Sequence, residues 1–377
     1  MRLPIVFICM TIVLDAMGIG LIMPVMPDLL QEVAGADLSE AAIWGGLLTV
    51  VFAVAQFMFG PLLGSLSDRY GRRPVLLISL AIMVVDYVIM VFASTIWMLL
   101  IARIAHGITA ATHSTANAYM ADISEPEKKA QNFGLIGAAF GVGFVLGPLI
   151  GGALGEFGTR APFYAAALLA ALNFVFGAVI MRETVTERIR RPFAWKRANP
   201  LGALRHISAL PGLGMLLAAY FVYSVALYVY PAIWSYFTQA RFDWSPGTIG
   251  LSLGIYGISA ALVQAVLIRF LIAYVGERRT VIYGLIFDMV ACLALAIVTS
   301  GTVALILTPM AALGAVVTPA LQGVMSRRTT DDAQGELQGV LASIHALAVI
   351  VSPLMMTGVF AAFTRSSAPI VFPGAPF

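Results

Sequence analysis

The sequence predicts an all-α integral membrane protein built from two six-helix halves, and three observations predict it. Of its 377 residues 60% are hydrophobic and only 11% charged, with a mean hydropathy of +0.94, whereas soluble domains sit near half apolar and a quarter charged. No soluble core hides that much apolar surface, so lipid must be the solvent for most of it. The apolar residues fall into stretches of about 20, the length a helix needs to cross a bilayer. Short motifs of the first half also return in order in the second, the mark of a duplicated transporter unit.

Eleven spans follow, near 4–26, 42–64, 74–93, 96–121, 132–154, 161–181, 211–237, 247–275, 280–298, 302–325 and 336–363. The first has a positive start like a signal peptide, but it is too long, lacks a small-residue cleavage site and carries Asp15 in its middle. A retained first helix is therefore expected. Cys9 and Cys292 lie inside apolar runs and read as small buried hydrophobes. Seventeen basic residues, from Arg2 and Arg69–Arg73 through Lys128, Lys129 and the 182–205 segment to Arg327 and Arg328, fall at alternate ends of the spans. The opposite ends hold Arg160, Arg241 and Arg365. The positive-inside rule then predicts a cytoplasmic N-terminus. The net charge of +3 gives no reason to expect nucleic acid.

The longest connection, residues 182–206, is polar and basic and divides a first half, 1–181, from a second, 207–377. YGRRPV at 70–75 is echoed by VGERRTV at 275–281, each between the second and third span of its half. GPLIGG at 147–152 followed by APF at 161–163 is echoed by SPLMMTG at 352–358 followed by APF at 375–377. In the first half APF opens a sixth helix. The sequence thus predicts a twelfth span beyond Phe377 and a chain cut at that end.

Residues 64–77, GSLSDRYGRRPVLL, place Asp68, Arg69, Arg72 and Arg73 in one short connection. Topology alone accounts for the arginines but not for an acid, a glycine and a proline at fixed offsets. Gly71 permits a tight turn, Pro74 suits a first helical turn, and Asp68 ends a helix where it can pair with an arginine or a helix N-terminus. The pattern resembles the signature loop of the major facilitator superfamily, matched at Gly64, Leu66, Asp68, Arg69, Gly71, Arg72, Arg73 and Pro74. That resemblance implies the major facilitator fold and a charge-relay latch at this loop.

In the fifth span GVGFVLGPLIGG carries Gly141, Gly143, Gly147, Pro148, Gly151 and Gly152. Small residues pack membrane helices closely, and the segment also resembles the antiporter motif of the superfamily's drug exporters. Asp15, Asp86, Arg103 and Asp288 lie inside spans, where a charge costs about 2.5–3.5 kcal/mol at the bilayer centre. Arg103 can offset one acid, Asp15 or Asp86, and the surplus acids predict a proton acceptor.

Nearly the whole chain is similar to the tetracycline/proton antiporters, through TIVLDAMGIGLIMPVMP at 11–27, DYV at 86–88, RIAHGIT at 103–109, RFDWSPGTIGLSL at 241–253, GERRTVIYGLIFD at 276–288 and PALQGVMSRR at 319–328. The resemblance implies a multi-pass transporter of a bacterial inner membrane, with Asp15, Asp86, Arg103 and Asp288 on a proton and substrate path. It also implies polar substrate contacts from Gln56, Asn117, Gln264 and Gln322, to which His113 is added as a candidate. The partners implied are a small-molecule drug, protons and the lipid bilayer. No cofactor is implied, and a divalent cation only as part of a chelated drug. The chain departs at Ala260, where the family's tetracycline exporters usually carry a histidine four residues before the matching glutamine; it has His106, His113 and His345 instead. A metabolite exporter of the same superfamily and a non-transporting remnant or sensor are the alternatives. No nucleophile–base pair, metal cluster or phosphate loop points to an enzyme.

Overall fold

Lipid offers the backbone no hydrogen-bond partners, so each crossing segment must satisfy its own N–H and C=O groups as a helix. The computed structural model describes residues 3–110, 112–187, 190, 212–330 and 333–377, and among them there is no strand. Of the 182–206 connection only 182–187 and 190 are described; Arg2, Arg188, Arg191, Lys196, Arg197 and Arg205 lie outside the described residues. Two units emerge, Met1–Gly35 with Val51–Pro200, and Ala36–Val50 with Leu201–Phe377.

The first unit holds α1 (Leu3–Ile22), α2 (Met26–Ala34), most of α3 (Leu38–Tyr70), α4 (Arg72–Phe92), α5 (Ile96–Thr109), α6 (Thr112–Ile123), α7 (Lys129–Gly155) and α8 (Ala161–Ile180). Helix α8 is apolar all round, as a helix between protein and lipid must be. Its inner face buries Phe163, Ala166, Ala170, Asn173 and Gly177, where Thr11 donates to Asn173 at 3.2 Å and Phe7 meets Phe176 edge-on at 5.7 Å. Its outer face exposes Tyr164, Leu168, Leu172, Val175 and Val179. A continuous apolar stripe of that kind is stable only against hydrocarbon.

The second unit holds α9 (Gly214–Leu227), α10 (Val229–Phe242), α11 (Pro246–Leu262), a π-helical turn (Val263–Leu267), α12 (Ile268–Val275), α13 (Glu277–Ile297), α14 (Gly301–Ala311), a 3-10 stretch (Ala312–Val316), α15 (Val317–Arg327) and α16 (Gln334–Thr364). Leu217 and Tyr220 on α9 pack with Leu321 and Met325 on α15 and with Leu337, Val340, Leu341 and Ile344 on α16.

Among the described residues ten helices are long and apolar enough to cross a membrane, against the eleven spans the sequence predicts. The difference is the fourth, 96–121, which is broken into α5 and α6. Thr109 turns its hydroxyl back onto the carbonyls of Ala105 and His106, at 3.1 and 3.2 Å, a competition that weakens a helix locally. The Ala110 N–H then bonds only three residues back, to Gly107 at 3.3 Å, while Gln56 donates to the Ala110 carbonyl at 3.4 Å. The 3-10 stretch between α14 and α15 falls at the matching point of the second half: Thr112 and Val317, which begin the following helices, are 205 residues apart.

Candidate functional site

The signature loop is closed by residues the sequence did not single out. Gly71 adopts φ +114°, a conformation open to glycine alone, and a Cβ there would overlap the carboxylate of Glu183. That carboxylate accepts the backbone N–H groups of Arg72 at 2.9 Å and Arg73 at 3.2 Å, the free donors at the start of α4. Arg72 pairs with Asp68 at 2.6 Å and with Asp122 at the end of α6 at 3.3 Å, and donates to Ser67 at 2.7 Å. Arg73 donates to the Ala178 carbonyl near the end of α8 at 2.8 Å. Arg69 is exposed and lies over the Tyr70 ring. Gly64 has open space where a side chain would stand.

On α7 the glycines divide. A Cβ at Gly143, Gly147 or Gly151 would strike the backbone of α1 at Val13, Met17 or Leu21, and a Cβ at Gly20 would strike Pro148. Pro148 and Gly152 are buried, while Gly141 faces open space. Spacing of four residues puts the three contact glycines on one face, so α1 lies directly on α7. This contact fixes the helix that bears Asp15.

Asp86, Arg103 and His106 form one cluster, and they are only 1%, 9% and 9% exposed. Both carboxylate oxygens of Asp86 accept from the Arg103 guanidinium, through Nε at 3.2 Å and through Nη2. His106 Nδ1 stands 2.8 Å from Asp86 Oδ2. Phe52 of α3 closes the group, edge-on to His106 at 5.2 Å and beneath Arg103 at 5.8 Å. Arg103 donates also to the Met90 sulfur at 3.5 Å. Arg103 thus pairs with Asp86 and not with Asp15.

Asp15, half-buried on α1, makes no hydrogen bond or ion pair with any described residue. His106, His113 and Tyr87 are the titratable groups whose fields it shares, and the Tyr87 hydroxyl packs on Gly18 one turn away. His113 is exposed and edge-on to Phe140 at 5.9 Å, which stacks on Phe144. Asn117 donates to the His113 carbonyl at 3.0 Å. Gln56 and His113 therefore border the break in the fourth segment, with Asn117 one turn further along α6.

In the second unit Asp288 meets no cation among the described residues. The Tyr223 hydroxyl of α9 donates to its Oδ2 at 2.8 Å and lies 3.2 Å from the Gly314 carbonyl. Asp288 presses so closely on Gly314 that a Cβ there would overlap the carboxylate. Tyr230 stacks with Tyr256 at 5.6 Å and lies 3.8 Å from the Cys292 sulfur. Gln322 on α15 reaches the Tyr220 hydroxyl at 3.4 Å. Gln264 is exposed within the π-helical turn, a distortion that frequently marks functional sites, and makes no hydrogen bond with a described residue. Among the described residues no three His, Cys, Asp or Glu side chains gather to hold a metal ion.

Sequence reasoning missed Glu183, Asp122, Tyr223 and Gly314, and it named His106 without its partner Asp86. Glu183 and Asp122 carry no local signal, because their partners lie 50 to 111 positions away. Tyr223 and Gly314 carry no charge, so only the structure ties them to Asp288.

The Major Facilitator Superfamily model matches residues 8–353. Relatives include the class C tetracycline resistance protein of Escherichia coli, 42% identical over 352 residues that make up 93% of this chain and 88% of that one. The class G tetracycline resistance protein of Vibrio anguillarum is 40% identical over 351 residues, again 93% and 88%. Among solved structures the human organic anion transporter MFSD10 (TETRAN) superposes with a TM-score of 0.70 at 25% identity, covering 100% of this chain and 96% of that one.

Proposed function

This multi-pass membrane chain belongs to the Major Facilitator Superfamily, and on that premise we propose that it exports an amphipathic, tetracycline-like drug in exchange for protons. The exchange runs across a bacterial inner membrane by alternating access, with the N-terminus in the cytoplasm. The observation that carries this reading is the unequal treatment of the intramembrane acids. Arg103 is bonded to Asp86, which leaves Asp15 and Asp288 without a cation bonded to them among the described residues. A carboxylate with no cation bonded to it is free to take up and release a proton, and the membrane potential drives that proton inward at about 2.3 kcal/mol per charge per 100 mV.

In this reading Asp288 and Asp15 load and release the proton, while Asp86 and Arg103 hold a fixed charge pair beside the path. Gln56, Asn117 and His113 of the first unit and Gln264 and Gln322 of the second offer the few polar groups that orient an amphipathic drug. The Asp68–Arg72–Asp122 group acts as a latch that opens and closes with each cycle. Everted membrane vesicles loaded with the full chain test the proposal. Addition of tetracycline to energised vesicles is expected to release protons from the lumen in step with drug uptake. Drug uptake with no proton movement would overturn the antiport reading.

A further inference from the structure

Tyr223 has one hydrogen and two acceptors: Asp288 Oδ2 at 2.8 Å and the Gly314 carbonyl at 3.2 Å. A phenol can donate to only one of them at a time. Gly314 lies in the 3-10 stretch that interrupts the tenth span, and its carbonyl already accepts the Val317 N–H that closes that turn. We infer that Tyr223 is a positioning residue that passes the protonation state of Asp288 to the backbone of this interruption; the inference rests on the proton-coupled reading above.

Ionised Asp288 is an acceptor only, so Tyr223 must donate to it. When Asp288 takes a proton from water on the path, its own O–H can donate to the Tyr223 oxygen. The Tyr223 hydrogen is then released to the Gly314 carbonyl, which accepts it beside the Val317 N–H and so divides its acceptor strength between two donors. No bond between heavy atoms changes; one proton arrives, one hydrogen bond reverses direction and one is gained. The close seat of Asp288 on Gly314 makes the arrangement specific, because any side chain at 314 would displace the carboxylate.

The other titratable groups whose fields meet that of Asp288 are Tyr230 of α10, Tyr256 of α11 and Cys292 one turn along α13. None of these three is a cation. Helices α12, α14 and α15 and the 312–316 stretch bring no further titratable group to act on it among the described residues. Tyr223 is thus the polar side chain that answers Asp288.

Infrared difference spectra of the solubilised full chain over a pH series test this, with the Asp288 carboxyl band assigned by its loss in Asp288→Asn. In Tyr223→Phe that band is expected at about tenfold lower proton concentration than in the wild type, since the charge-assisted bond lost from the ionised form outweighs the neutral bond lost from the protonated form. The same band position in both proteins would overturn the inference. Hydrogen exchange of amides 312–318 in the wild type supplies a second measurement that needs no tyrosine variant. After correction for intrinsic rates, exchange is expected to differ between pH 5 and pH 8 in the wild type and to lose that difference in Asp288→Asn. Equal exchange at both values in the wild type would overturn the link to the interruption. Neither measurement depends on transport, so a failure of proton coupling in vesicles would be told apart from a failure of the relay.

Discussion

Arg72 opens α4 and pairs with Asp122 at the end of α6; Glu277 opens α13 and pairs with Arg327 at the end of α15, at 2.9 Å. Arg72 and Glu277 are 205 residues apart, and so are Asp122 and Arg327. Each opening follows a positive-φ glycine, Gly71 at +114° and Gly276 at +80°. The same clamp is therefore built twice with its charges exchanged. Attraction between the members of a pair is indifferent to which carries which sign, so a repeated unit can keep the contact and vary the charge it presents.

Deeper in the membrane the two units differ in kind. Asp86 is answered by a guanidinium and an imidazole, Asp288 by a phenol and a glycine. A cation holds a carboxylate ionised, whereas a hydroxyl serves either protonation state. The first cluster suits a permanent charge pair and the second a carboxylate that changes its proton.

Removing the cation from the first cluster is expected to have the largest effect. Arg103→Ala leaves Asp86 buried with only His106 beside it, a loss of up to about 3–5 kcal/mol that should show as early unfolding in detergent. Adding Asp86→Asn should restore much of that stability, and no rescue would show that Arg103 does more than answer Asp86. In the second cluster Asp288→Asn is expected to lower drug-dependent proton release by about a hundredfold or more, the scale of losing an acid–base group, while membrane insertion persists. Wild-type coupling in this variant would move the proton role elsewhere and dissolve the contrast between the clusters.

The two clamps allow a finer comparison. Arg72→Ala removes charge-assisted bonds of about 1.5 kcal/mol and is expected to slow turnover about tenfold while drug binding changes little. Equal losses in binding and turnover would place Arg72 in the substrate site. Arg327→Ala should matter least, below about 1 kcal/mol in stability, because exposed ion pairs contribute little. Arg327 is 73% exposed at its side chain, whereas Arg72 and Asp122 are 13% and 18% exposed. A larger cost for Arg327 than for Arg72 would reverse the ranking of the two clamps.

The helical membrane fold, its repeated motifs and its charged positions were legible in the sequence for a common reason. Burial in lipid needs about 20 apolar residues in a row, and a charge within such a run is conspicuous. Thus Asp15, Asp86, Arg103 and Asp288 could be named without coordinates, and so could the Gly71 turn. The break at Ala110 was not legible, because no proline marks it and the hydroxyl of Thr109 meets the carbonyls of Ala105 and His106 only in the folded helix.

What only the tertiary structure decided is which partner each named residue has. Arg103 had two acids within its reach by sequence, and helix packing gave it Asp86. Asp288 was one of the surplus acids by sequence, and packing supplied Tyr223, from a helix 65 positions earlier, and the bare backbone of Gly314. Glu183 looked like one charge in a basic connection until the chain brought it across α4 to bind the N–H groups of Arg72 and Arg73. The physical reason is range. Hydropathy and helix length are properties of neighbouring residues, so sequence records them directly. A hydrogen bond forms only within about 3 Å, and for residues far apart in the chain that proximity exists only once the helices have packed.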